Sequence, residues 1–184
     1  MSQIVSVSGS PSATSRTARL LRHVDARLTA HGHVVTPLAV RELPAGPLLA
    51  GDTSDPEIAA AAELVSRADG LVIGTPIYKA SYSGLLKTLL DLLPQYALAE
   101  KTVLPLATGG STAHVLAIDY ALRPVLTSMG AGHVLPGWFV LDREIAHAPA
   151  LPVVTASETE RQLHGVVDRF SAALPGAPLL AASA

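Results

Sequence analysis

The sequence predicts a doubly wound, three-layer α/β sandwich: a five-stranded parallel sheet in the order 2-1-3-4-5 with helices on both faces. Three observations carry that prediction. Across 184 residues, short apolar runs alternate five times with longer amphipathic stretches, the beat of successive βα units. Runs such as Leu71-Val72-Ile73 are apolar at consecutive positions, as burial on both faces of a parallel sheet requires. The length suits one domain, and five strands without a second domain favour an order whose switch point lies between the first and third strands.

In chain order, Ile4–Val7 reads as the first strand, Thr17–Leu28 as a helix and Val34–Leu38 as the second strand. Glu57–Ala68 follows as a helix, Leu71–Gly74 as the third strand and Leu85–Leu93 as a helix. Val103–Ala107 reads as the fourth strand, Ala113–Met129 as one continuous helix, His133–Val140 as the fifth strand and Glu158–Leu174 as the last helix. Residues 1–174 thus form a single domain, and Pro175–Ala184, small, apolar and rich in Pro and Ala, reads as a flexible tail.

Composition narrows the functional classes. Hydrophobic residues are 49% and charged residues 15%, too apolar for a disordered chain, and the apolar runs are too broken by Pro and Gly for a membrane protein. A formal net charge of −2 offers no cationic surface to nucleic acid or anionic lipid. The absence of cysteine removes disulfides, iron–sulfur clusters, thiolate zinc sites and thiol nucleophiles, so redox chemistry requires a bound cofactor. Met1 runs straight into Gln3–Val7 without a secretory signal, so a cytoplasmic location is expected.

In such a sheet, ligands bind at the carboxyl ends of the strands beside the switch point, which selects three loops in advance. The first, Ser8–Thr17, is rich in serine and threonine, carries Arg16 and leads into a helix. Free N–H groups, the helix dipole, the hydroxyls of Ser8, Ser10, Ser15 and Thr17 and a guanidinium all favour a phosphate there. The plainer reading makes Ser15 an N-cap in a polar turn. Neither G-x-x-x-x-G-K-[ST] nor G-x-G-x-x-G is present, so a mononucleotide fits better than a triphosphate or a dinucleotide.

The second loop, Thr75–Ser83, is expected to interrupt its strand at Pro76. Backbone groups there read the polar edge of a ring, with Ile77 and Tyr78 along its face, Lys79 favouring negative charge on it and Ser81 close by. The alternative packs Tyr78 and Tyr82 on the neighbouring helix and leaves Lys79 solvated. In the third loop, Thr108–His114, the Gly109-Gly110 pair lets backbone approach the ring's other side, and His114 is placed to donate a hydrogen bond. A phosphate cradle plus a slot for a planar ring describes flavin mononucleotide, FMN.

Three segments carry a more specific resemblance: Thr75-Pro76-Ile77-Tyr78-Lys79-Ala80-Ser81-Tyr82-Ser83-Gly84 with the following helix to Pro94, Leu104-Pro105-Leu106-Ala107-Thr108-Gly109-Gly110 continuing to Leu126, and the opening Gly9-Ser10-Pro11 with Ser15-Arg16. Over roughly residues 3 to 140 the chain resembles the NAD(P)H-dependent flavin reductases of the flavodoxin-like class, in particular the FMN reductases of alkanesulfonate monooxygenase systems. The resemblance implies hydride transfer from NADPH or NADH to FMN and delivery of reduced FMN to a partner monooxygenase, in sulfonate desulfonation and sulfur acquisition. It further implies that a tyrosine in the fourth helix, here Tyr120, makes a π-helical turn at a tetramer interface and that flavin is held loosely enough to leave as product. Low charge and apolar loops favour homo-oligomerisation on their own account. No side-chain acid or base is required, because such chemistry rests on stacking the two rings at roughly 3–3.5 Å; Asp91 and Asp119 are therefore not assigned catalytic roles.

Three rivals remain. An FMN-retaining quinone or azo-type reductase would keep its flavin through gel filtration. A non-catalytic flavodoxin-like electron carrier is usually strongly acidic for docking, whereas this chain is nearly neutral. A metal-dependent hydrolase is weakest: His31 and His33 are the only histidines close in sequence, lie away from the three loops and lack a carboxylate, so no metal ligands are assigned.

Overall fold

The structure is a computed structural model and describes residues 1–146 and 153–175. Strand β1 (Gln3–Ser8) leads to helix α1 (Arg16–Ala30), β2 (Val34–Ala39), the short α2 (Ala45–Ala50) and α3 (Pro56–Arg67). Strand β3 (Gly70–Tyr78) then turns back as β4 (Ser81–Tyr82), followed by α4 (Gly84–Leu92) and β5 (Thr102–Gly109). After a π-helical turn (Ile118–Leu122) come α5 (Arg123–Ser128), β6 (His133–Val134), β7 (Trp138–Leu141) and α6 (Ser157–Ala173). Beyond Pro175, whose carbonyl accepts a 2.9 Å hydrogen bond from Ser2 Oγ, the expected tail lies outside the described residues.

The sheet runs β2-β1-β3-β5-β6 in parallel, β4 pairs antiparallel with β3, and β7 continues in parallel on β5. It has seven strands where the sequence predicts five. The expected fifth strand is split: β6 pairs with Thr102 and Val103, β7 with Leu106–Gly109. Pro105 lies in the gap. The Val103 carbonyl accepts from Leu135 N at 2.9 Å, and alternation along the strand turns Pro105 to the same side, so its missing N–H falls where no ladder bond is made.

Strand β3 is also longer than expected. Pro76 does not interrupt it, because the Gly74 carbonyl faces β1, accepting from Gly9 N at 2.8 Å, and alternation aims Pro76's missing donor past the end of β1. Thr75–Tyr78 is therefore rigid strand, and only Lys79 and Ala80 form the turn of a two-residue hairpin, with φ of 50° and 63°.

The helix expected over Ala113–Met129 is broken into a 3₁₀ turn (Thr112–His114), the π turn and α5. Pro124 accounts for the break, since its ring crowds the carbonyl of Tyr120 four residues back and it offers no N–H to the helical ladder. Arg123 secures the widened turn, donating to Asp119 Oδ1 at 2.9 Å and to the Val134 and Leu135 carbonyls at 2.8 and 3.0 Å.

Alternation on the central strands builds one core on each face. Val5, Val7, Leu71, Ile73 and Val103 pack with Leu86, Leu89 and Leu126, whereas Ile4, Val72, Leu104 and Leu106 pack with Leu20, Leu21, Val24, Leu163 and Phe170. This is the two-sided burial that the consecutive apolar runs predict.

Candidate active site

At the carboxyl ends of β1, β3 and β5 lies a cleft of about 280 Å³, lined by Ser10, Ser12, Thr14, Ser15, Arg16, Thr17, Pro76, Ile77, Tyr78, Thr108, Gly109, Gly110 and Asp142. All three sequence-selected loops meet there. Ser15 caps α1, its Oγ accepting from Ala18 N at 3.0 Å, and Ser15 O accepts from Arg19 N at 3.1 Å. The amides of Arg16 and Thr17 are then the first-turn donors the helix itself does not use. The first turn contains no acidic residue to occupy its positive end. The cap reading of Ser15 and its place in the cleft are thus compatible.

Short bonds tie the loops together. Thr17 and Thr108 share a buried 2.6 Å hydroxyl–hydroxyl hydrogen bond that joins α1 to β5. Ser83 caps α4 through Leu86 N at 3.1 Å, donates to Gly9 O at 2.5 Å, and its N–H donates to Thr75 Oγ1 at 3.0 Å. Gly9 is required by close approach, since a Cβ there would lie 2.7 Å from Leu86 Cβ. On the other wall, a Cβ on Gly110 would meet only Asp142 Oδ2, at 4.0 Å, so any larger residue there would fill cleft space.

Ten of the expected residues line the cleft; Ser8, Lys79, Ser81 and His114 do not. Ser8 instead lines a neighbouring cleft with Ser6, Ala13, Arg22 and Asp25. Lys79 and Ser81 lie on the hairpin beside Tyr78, and His114 ends the 3₁₀ turn after Gly110. Tyr78 is half exposed, whereas Pro76 is buried. Ser12, Thr14 and Asp142 also line the cleft without having been expected as site residues: Ser12 and Thr14 lie within the first loop, and Asp142 follows the last strand, whose end the sequence places at Val140, two residues short of it. Asp91 and Asp119 lie outside the cleft, ion-paired with Lys87 at 2.6 Å and Arg123 at 2.9 Å.

The residues fit a phosphorylated planar ligand. Arg16 Nε is shielded from solvent and has no hydrogen-bond partner among the described residues, the condition an anion in the cleft would relieve. With the sheet order, this defines the class: a flavodoxin-like mononucleotide-binding protein. Oxidised flavodoxin 1 from Bacillus cereus shares the fold at TM-score 0.66 and 15% identity, over 94% of this chain and 99% of that one.

The chain belongs to the NADPH-dependent FMN reductase family, whose model matches residues 2–146. It is 46% identical over 176 residues to the FMN reductase (NADPH) of Pseudomonas putida strain KT2440, covering 95% of this chain and 89% of that one. The apo structure of an NADH:FMN oxidoreductase (EMOB) superposes with TM-score 0.88 at 44% identity, over 97% of this chain and 92% of that one. The protein is therefore an oxidoreductase acting with FMN and a reduced pyridine nucleotide. No described helix is long and apolar enough to cross a membrane.

Proposed function

We propose that residues 1–174 form one cytoplasmic catalytic domain that transfers a hydride from NADPH or NADH to FMN and releases reduced FMN to a partner monooxygenase in sulfonate desulfonation. The observation that supports this reading is the cleft itself, with the unpartnered Arg16 Nε at the N-terminus of α1 and with Pro76–Tyr78 and Gly109-Gly110 among its lining residues. Flavin, when bound, accepts the hydride. In this reading Ser10, Ser15, Arg16 and Thr17 hold the phosphate, with Ser8 supporting the turn from behind. Backbone of Pro76, Ile77 and Tyr78 reads the ring's edge, Thr108, Gly109 and Gly110 flank it, and Lys79, Ser81 and His114 shape the rim. In this reading the protein acts by placing the two rings rather than by moving protons; Asp91 and Asp119 are held in ion pairs outside the cleft, and Asp142, which lines it, is given no proton-transfer role.

The test is steady-state oxidation of NADPH, then NADH, by flavin-free protein with FMN, FAD and riboflavin each varied. Saturable turnover that prefers FMN is expected. Bound FMN without turnover would move the chain to the electron carriers, and flavin retained through gel filtration would favour an FMN-retaining quinone or azo-type reductase.

A further inference from the structure

Away from the cleft, α1 and α6 bring together three side chains that the flavin chemistry does not use. His23 Nε2 and His164 Nε2 lie 3.3 Å apart, and Glu160, one turn before His164, places Oε1 3.6 Å from the first and 4.0 Å from the second. The ring centroids are 5.4 Å apart, so the two Nε2 corners lean toward each other. A tetrahedral ion with bonds of about 2.0–2.1 Å sets its ligands roughly 3.3–3.4 Å apart. The two nitrogens already have that spacing, and the partly exposed carboxylate needs to close by roughly 0.3 Å toward His23 and roughly 0.6 Å toward His164.

We propose that His23, Glu160 and His164 form a binding site for one divalent transition-metal ion of the zinc type, with the fourth position open to solvent. Two imidazoles and one carboxylate suit Zn²⁺ and its neighbours rather than Mg²⁺ or Ca²⁺, which prefer all-oxygen shells. The nearby cation Arg27 opposes the ion little, because its guanidinium is engaged at 2.7 Å with both carboxylate oxygens of Asp168. Because the ligands come from helices 141 residues apart, the site exists only in the folded chain, and an ion there clamps α6 to α1. The buried contacts of Leu163, Val166 and Phe170 already hold α6 on the sheet, so the clamp adds to the fold without being required for it.

The test uses tag-free protein. Competition for Zn²⁺ against a chromogenic chelator should give one ion per chain, weakened at least about tenfold, the scale on which even outer ligand-shell changes act, in both His23→Gln and His164→Gln. Mg²⁺ should not compete, and Zn²⁺ should raise the melting temperature of the native chain but not of the double variant. Metal-free melting curves check that the variants fold, and the visible spectrum of the Co²⁺-loaded native chain tests four-coordination without any variant. Undiminished affinity in the double variant, no Zn²⁺ uptake by the native chain, or only the weak spectrum of octahedral Co²⁺ would overturn the proposal.

Discussion

In the proposed function Arg16 is the residue on which phosphate recognition turns. A guanidinium hydrogen-bonded to a phosphate contributes about 1.5–3 kcal/mol. Arg16→Ala should therefore weaken FMN by roughly 10- to 150-fold while leaving riboflavin, which lacks the phosphate, nearly unchanged. Flavin-fluorescence titrations with both ligands check this; equal losses would mean that Arg16 shapes the loop rather than binding the anion. Asp25 on α1 governs a different property. Burial pushes its carboxyl from the ordinary 3.8 up to about 6, against the opposing pull of the Ser6 hydroxyl and the Arg22 charge. A raised carboxyl pKa means that the folded state holds the proton more tightly, so this group's stability is complete below 3.8 and is lost as pH rises through about 6. The loss amounts to about 3 kcal/mol. Because burial lowers the pKa values of His23 and His33, which gives the opposite slope, the decline is read as the difference between native chain and Asp25→Asn in urea unfolding from pH 4 to 7, with the variant the more stable at pH 7.

Among the elements, those whose signal is local were legible in the sequence. Consecutive apolar residues at Leu71-Val72-Ile73 mark a strand covered on both faces, and the strand-end rule selects three walls of the cleft from the sequence alone. What escaped depends on where a donor points. Pro76 reads as a strand breaker and Pro105 as an ordinary strand position, yet alternation turns the one past the end of β1 and the other into the gap between β6 and β7. One physical reason covers the unbroken strand at Pro76 and the split opposite Pro105: a missing N–H matters only if a neighbouring strand needs it. Helical spacing likewise extended one helix across Ala113–Met129, although Pro124 makes the chain widen into a π turn at Tyr120. Sites assembled across the fold were beyond reach. His31 and His33 stand out because they are only two positions apart in sequence, but it is His23 and His164, 141 residues apart, that meet.

At the scale of the whole molecule, the π turn presents a surface that a lone protomer does not explain. Tyr120 is 79% exposed, with Leu116 and Val115 exposed beside it, so it is a surface residue and not part of the core. Apolar side chains grouped on one turn and held in place by Arg123 mark an interaction surface, and a second copy of the chain is the occupant that the family resemblance implies. We propose that the assembly is the tetramer that the resemblance implies, with the turn at an interface beside the flavin. An exposed tyrosine at the centre of such a contact typically carries about 2 kcal/mol or more, roughly 30-fold in the dissociation constant. Tyr120→Ala should therefore shift the tetramer toward smaller species in light scattering at micromolar concentration. Because the side chain makes little contact within its own protomer, the variant should retain native circular dichroism and FMN binding to the isolated protomer. A native chain that stays monomeric at every concentration would instead assign this surface to a different protein, and the partner monooxygenase becomes the first candidate to titrate against it.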